Sequence, residues 1–346
     1  MLPYWLFLLI PAGVVLANQR LADKSKPYAW GLAWLVFSLA IGLRFEVGGD
    51  WFAYINLLEI HTAKNLWEVI AGGDPGYYLL NWLVGQAGGT IYWVNTLCGM
   101  IVMAGVVRFA RSQPLPWLAL MVAVPYLIIV VGMGYTRQSA ALGMLLIGLV
   151  SLGNGQMRWF VFWVMLAATF HKSAVLMLPV AALASTSNRF WSLLWVGLIS
   201  LVGGYLFVFD SAERLWTNYV EADYESQGGL IRVLMNAVPA MLFFVFRRYL
   251  RLTEAEDKLW FWMSVLSLAC IPLVVLSSTA TDRVALYLIP IQMFVFARLP
   301  FVMTDPRHRG LVTLGVVGYY GLVQAVWLFF AGHSFAWLPY QNVIWL

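Results

Sequence analysis

Apolar stretches of membrane-span length recur along this whole chain, and no other feature narrows its fold so far. About 20 apolar residues in a helix cross the hydrocarbon core of a bilayer. Lipid offers the backbone no hydrogen-bond partner, so each crossing segment must satisfy its own. With 62% hydrophobic and 11% charged residues, against about a quarter charged in soluble domains, the chain is predicted to be an all-α polytopic membrane protein. It reads as one integral membrane domain over residues 1–346. Cys98 and Cys270 both fall mid-span, where they read as small packing residues rather than a disulfide or metal pair.

The start, Leu2–Ala17, reads as a retained first helix and not a cleaved leader. Further spans are expected near Pro27–Leu43, Ile91–Val107, Leu115–Met133, Ser139–Leu152, Trp159–Phe170, Ala174–Ser187, Trp191–Phe209, Ile231–Phe246, Leu259–Leu276, Val284–Ala297 and Leu311–Ala331, about 12 crossings in all. Trp51–Asp74 is too polar to span and has a helical period, which predicts an amphipathic helix along the membrane surface. Tyr77–Ala87 is apolar but short, and so is expected to be re-entrant or interfacial. This order places 14 of the 21 Lys and Arg residues on one side and 11 of the 16 acidic residues on the other. Positive loops stay in the cytoplasm, so both termini are predicted outside. Short cytoplasmic loops and the lack of a GxxxxGK[ST] sequence argue against a nucleotide-binding domain.

Under that topology four polar motifs reach the outer side. They are LRFEVGGDWFAY at Leu43–Tyr54, GYTRQS at Gly134–Ser139, FHKS at Phe170–Ser173, and TDR at Thr281–Arg283 with Tyr287 one turn on. Ionisable residues beside spans usually face the bundle interior or a wet cavity. Taken singly, each is equally an ordinary snorkelling anchor. As a set they suit a lipid-linked diphosphate. Arg44, Arg137, Lys172 and Arg283 would neutralise it, the planar arginine fork meeting phosphate oxygens in pairs, and Gln138 stands beside Arg137. Asp50 is the first candidate for a general base and His171 the second, with Glu46 holding Arg44 in place. Trp51, Tyr54, Tyr135 and Tyr287 suit stacking on sugar rings or lining an isoprenoid groove. The scheme requires no metal or cofactor. Glu221, Asp223 and Glu225 alternate in an outer loop and read as a solvated acidic face.

These motifs resemble those of the EpsG family of exopolysaccharide polymerases, Wzy-like integral membrane proteins. LRFEVGGDWFAY is similar to that family's R-x-x-V-G-x-D-[WY]-x-x-Y motif, and YTRQSAALGMLLIGL to its R-Q-x-x-A helix. FHKSAVLMLP is similar to F-H-K-S-A, and TDRVALYLIP to a later R-[ILV]-x-x-Y element. They occur in family order over about residues 27–300, with Gly49 where Thr or Ser is more usual. The resemblance implies a GT-C-like fold with short re-entrant or amphipathic periplasmic helices. It implies a glycosyltransferase that joins undecaprenyl-diphosphate-linked oligosaccharide repeats at the periplasmic face of the bacterial inner membrane and releases undecaprenyl diphosphate. Its implied partners are the lipid-linked oligosaccharide, the bilayer, and a flippase and chain-length regulator of the same pathway, with no nucleic acid. Two other classes stay open. A transporter or flippase of the same lipid would share arginines in a wet cavity, although the repeated halves that would favour it are not visible. A membrane acyltransferase acting on surface polysaccharide would use His171 as its base.

Overall fold

The computed structural model describes residues 1–17, 27–184, 194–202 and 228–346, and the regular structure among them is helical. In chain order the helices are α1 (Leu2–Ala17), α2 (Pro27–Gly42), α3 (Trp51–Thr62), α4 (Leu66–Ile70), α5 (Pro75–Gln86), α6 (Ile91–Arg111), α7 (Pro116–Gly134), α8 (Thr136–Gly153), α9 (Met157–Phe170) and α10 (Lys172–Leu183). They continue with α11 (Gly229–Phe246), α12 (Glu254–Leu276), α13 (Ser278–Leu288), α14 (Pro290–Arg298) and α15 (Pro306–Phe330). Among the described residues, six helices are long and apolar enough to cross a membrane, namely α6, α7, α8, α11, α12 and α15. Most of the expected Trp191–Phe209 span and the acidic positions Glu221, Asp223 and Glu225 lie outside the described residues.

Two expected elements are corrected. Val284–Ala297 is not one straight span, because α13 and the helical stretch from Pro290 meet at 44°. Pro290 has no N–H to continue the ladder, and its ring conflicts with the carbonyl four residues earlier. Trp51–Asp74 is not one helix either. Asn65 starts α4 afresh by accepting a hydrogen bond from the Glu68 N–H at 3.0 Å. The amphipathic character itself is present in α3, which buries Trp51, Tyr54, Leu58 and His61 at helical spacing while Phe52 faces outward. Helix α5 has 12 residues. At 1.5 Å per residue it is about 18 Å long, too short to cross.

The described chain divides into two compact units. The first is Met1–Met144, Thr169–His171 and Thr313–Leu346, and the second is Leu145–Ala168 with Lys172–Val312. In the first unit α6 and α8 touch backbone to backbone, where a Cβ at Gly105 would overlap Gly143 and a Cβ at Gly143 would overlap the backbone of Ile101 and Val102. Small residues at a crossing allow this approach, and it fixes the start of α8. The residues before Leu346 return onto the loop after α2. Phe45 N–H donates to Gln341 O at 3.0 Å, Val343 N–H to Leu43 O at 3.0 Å, and the Tyr340 hydroxyl to Ala40 O at 2.9 Å.

In the second unit, charge collects at two poles. At one, Arg247 forms a double hydrogen bond with Asp257 at 2.5 Å, and Arg298 pairs with Glu256. At the other, Arg232 pairs with Asp282. Arg232 and Arg247 sit at opposite ends of α11, about 22 Å apart along the helix.

Candidate active site

Arg137 is the second residue of α8. A cation there opposes the positive end of the helix dipole, and a carboxylate answers it. Arg137 Nη1 donates to Asp74 Oδ2 at 2.7 Å. Asp74 immediately precedes Pro75 at the start of α5, where the helix terminus favours an ionised carboxylate. Exposure is unequal, since the Arg137 side chain is 31% exposed and that of Asp74 only 7%. The arginine therefore opens to its surroundings from a buried anchor.

Aromatic groups complete the setting. The Arg137 guanidinium lies 6.0 Å from the centre of the Tyr77 ring and its charge acts on the Tyr54 hydroxyl, while its Nε has no partner. Burial, above all, raises the pKa of Tyr54, opposed by the charge of Arg137. The Asp50 charge acts on that same hydroxyl. Asp50 is exposed at the N-cap position of α3 and makes no cap hydrogen bond. Phe170 packs on the cluster that contains Tyr54 and Tyr77, and a Cβ at Gly76 would stand 3.1 Å from its ring. His171 follows Phe170 directly and is half-buried. Residues of three motifs thus share the first unit around Arg137 and Asp74.

Arg44, expected on the diphosphate, is turned inward and fully buried. Its Nε donates to Val47 O at 3.0 Å, Nη1 to Ile41 O, and Nη2 to the Thr136 hydroxyl at 2.9 Å and to Asn95 Oδ1 at 3.4 Å. The guanidinium also lies 5.5 Å from the Trp51 ring. Burial lowers the Arg44 pKa to about 10, so it stays charged at neutral pH. Glu46 does not hold Arg44, because backbone carbonyls and the Asn95 and Thr136 side chains do. Glu46 itself is exposed, on a residue with φ of 49°. The Gly48 of this motif is required twice over: its φ is +103°, and a Cβ would overlap Met133 O.

The other expected contacts divide. Tyr54, Trp51, Tyr287 and Gln138 are buried, which removes their faces from a bulky ligand, whereas Tyr135, Lys172 and Arg283 are half-buried. In the second unit the Ser173 hydroxyl of FHKS meets the Tyr287 hydroxyl at 3.1 Å, so the last two motifs make contact. Arg232 grips Asp282 through two hydrogen bonds, the Nη2–Oδ2 one at 2.6 Å. One turn further along α11, Asn236 donates to Ala285 O at 2.7 Å and accepts from Gln292 at 2.7 Å. These bonds tie α11 to both halves of the bent pair.

The model of the EpsG family matches residues 28–342. The chain belongs to the EpsG family. EpsG is a Wzy-like polymerase family, and this member is accordingly a multi-pass membrane protein whose function is of the exopolysaccharide-polymerase type. No curated protein and no solved structure matches it.

In this EpsG-family chain three charged residues escaped the motif reading. Asp74 ends the expected amphipathic stretch Trp51–Asp74 and belongs to none of the four polar motifs. Asp282 lay inside the TDR motif, but only its arginine neighbour was read as a contact. Arg232 is 50 positions from Asp282, and no local pattern links them. Among the described residues no group of three or more metal-ligating side chains occurs.

Proposed function

We propose that this EpsG-family chain is a glycosyltransferase that joins undecaprenyl-diphosphate-linked oligosaccharide repeats at the periplasmic face of the bacterial inner membrane. A hydroxyl of the acceptor repeat attacks the anomeric carbon of the growing chain. The new glycosidic C–O bond forms as the bond from that carbon to the diphosphate oxygen breaks, and undecaprenyl diphosphate leaves. The leaving group is already charged, so electrostatic stabilisation and alignment supply most of the catalysis.

The observation that carries this reading is the Arg137–Asp74 pair. A partly exposed guanidinium, anchored by a buried carboxylate at the mouth of a span, is what a membrane-side diphosphate needs. Arg137 takes the diphosphate, and Tyr135 borders the sugars. Asp50 accepts the proton of the attacking hydroxyl, and His171 is second in line. The bent pair and the shorter apolar helices α1, α2 and α9 would bring the described crossings to ten, toward about 12 for the whole chain in a GT-C-like arrangement. The partners are the lipid-linked repeat, the bilayer, and a flippase and chain-length regulator.

Reconstitution of the purified protein with a lipid-linked repeat tests this. Longer glycans are expected, and movement of the lipid across the bilayer without elongation would make it a flippase. Asp50→Asn should abolish elongation with donor binding kept, while His171→Gln should be milder. Full elongation by Asp50→Asn beside an inactive His171→Gln would make His171 the base.

A further inference from the structure

Helix α7 is buried along its whole length, and Val124–Val131 within it is wound as a π-helix. Pro125 is the second residue of that stretch and cannot donate to the ladder, so the turn widens. One added residue in a helix rotates everything after it by about 100° relative to an unbroken α-helix. The helix then stops at Gly134. Tyr135 breaks it with φ −123° and ψ 66°, and Thr136 and Arg137 open α8. The direction of Arg137 thus depends on how the π stretch and the 133–135 break are held.

Trp337 holds both. It is 4% exposed, and its indole N–H donates to Ile129 O inside the π stretch at 3.1 Å. Its six-membered ring lies against Gly134, where a Cβ would stand 3.0 Å from Cη2 and overlap Cζ2. Gly48 also meets the 133–135 break, since a Cβ there would overlap Met133 O and stand 3.1 Å from Gly134 Cα. The clamp is itself tied down. The Tyr4 hydroxyl donates to Trp337 O at 2.7 Å, Gly48 N–H to Ala336 O at 2.8 Å, and the Trp327 ring meets that of Trp337 edge-on at 5.4 Å.

We infer that Trp337 is a positioning residue for Arg137, acting through the π stretch and Gly134 without touching substrate. The inference rests on the polymerase reading for its activity arm only. Trp337→Phe keeps a ring and removes the N–H. It should lower elongation about tenfold or more, because small displacements of an aligned group cost that much. The same substitution in an Arg137→Lys background should add little, because the group it aims is already gone. A second arm needs no activity: in an Arg137→Cys protein, Trp337→Phe should change the rate of maleimide labelling at position 137 several-fold. Wild-type elongation by Trp337→Phe, an equal loss in both backgrounds, or an unchanged labelling rate would each overturn the inference. Failure of the unmutated protein to elongate, beside a changed labelling rate, would instead sink the polymerase reading and leave the positioning role standing.

Discussion

Arg44 and Arg137 stand beside each other in the first unit, since Thr136 binds the one and precedes the other in the chain. Each belongs to a short polar motif at the end of an apolar helix, and from sequence the two look alike. Their surroundings differ in kind. Arg44 is fully buried, and its donors go to two backbone carbonyls, a hydroxyl and an amide oxygen. Arg137 leans on one carboxylate, and part of its guanidinium is open. A cation surrounded by fixed neutral acceptors ties together the segments that supply them. A cation anchored on one side presents its remaining field to whatever arrives. On the proposed function, the two arginines of one region take opposite parts, one in folding and one in recognition.

The sharpest way to break this comparison is to remove Arg44. Arg44→Met leaves the buried carbonyls of Ile41 and Val47 without that donor, while Asn95 Oδ1 keeps the Thr136 hydroxyl. At 1–3 kcal/mol for each unsatisfied group, part of it relieved by relaxation, the loss should be about 4 kcal/mol. The yield of folded protein in detergent and its thermal midpoint should both fall steeply, and the molecules that do fold should retain much of their elongation rate. A stable, well-folded Arg44→Met protein that no longer elongates would show that Arg44 reaches substrate after all.

Arg137→Lys comes next. Lysine keeps the charge for Asp74 but has no planar fork. Elongation should fall about a hundredfold, equivalent to about 2.7 kcal/mol in the barrier, with no change in thermal midpoint. Asp74→Asn should follow at about thirtyfold, because the amide lets the guanidinium wander while leaving its charge. Near-normal polymer output from Arg137→Lys would reduce Arg137 to an interfacial anchor.

These contrasts also show what the sequence could and could not disclose. Six spans were legible because span-length apolar runs have few alternatives in lipid, and the observed bounds of α6, α7 and α11 lie close to the expected ones. Pro290 was visible, but the 44° turn depends on what packs around it. The π winding of α7 left no periodic trace, since every residue from Pro116 to Gly134 is buried and no polar face marks the register. Arg44 was misplaced for a related reason. Charge at the rim of a span ordinarily snorkels, and only the fold supplies the Asn95 and Thr136 side chains that hold it inside. Asp74 and the Arg232–Asp282 pair were hidden by distance along the chain.

The smallest effect concerns two tyrosines that lie 6.0 Å apart, centre to centre. Tyr54 and Tyr77 are both buried and their rings touch edge-on, yet their hydroxyls differ. The charge of Arg137 weighs on the Tyr54 hydroxyl second only to burial and on that of Tyr77 least of all, and the Tyr77 hydroxyl has no hydrogen-bond partner. Tyr54→Phe removes the hydroxyl that feels this charge and should lower elongation about fivefold, near 1 kcal/mol, the usual scale of one polar contact. Tyr77→Phe deletes an unsatisfied buried group, and stability should stay level or rise. Burial holds both phenols protonated above their ordinary range, so neither can serve as a base near neutral pH. The alkaline limb of elongation in wild type and Tyr54→Phe should coincide up to about pH 10, the ordinary tyrosine value. Equal losses from the two phenylalanine substitutions would mean that the rings, and not the Tyr54 hydroxyl, matter. In that case the opening at Arg137 would be shaped by packing, and the difference from the buried Arg44 would be one of degree.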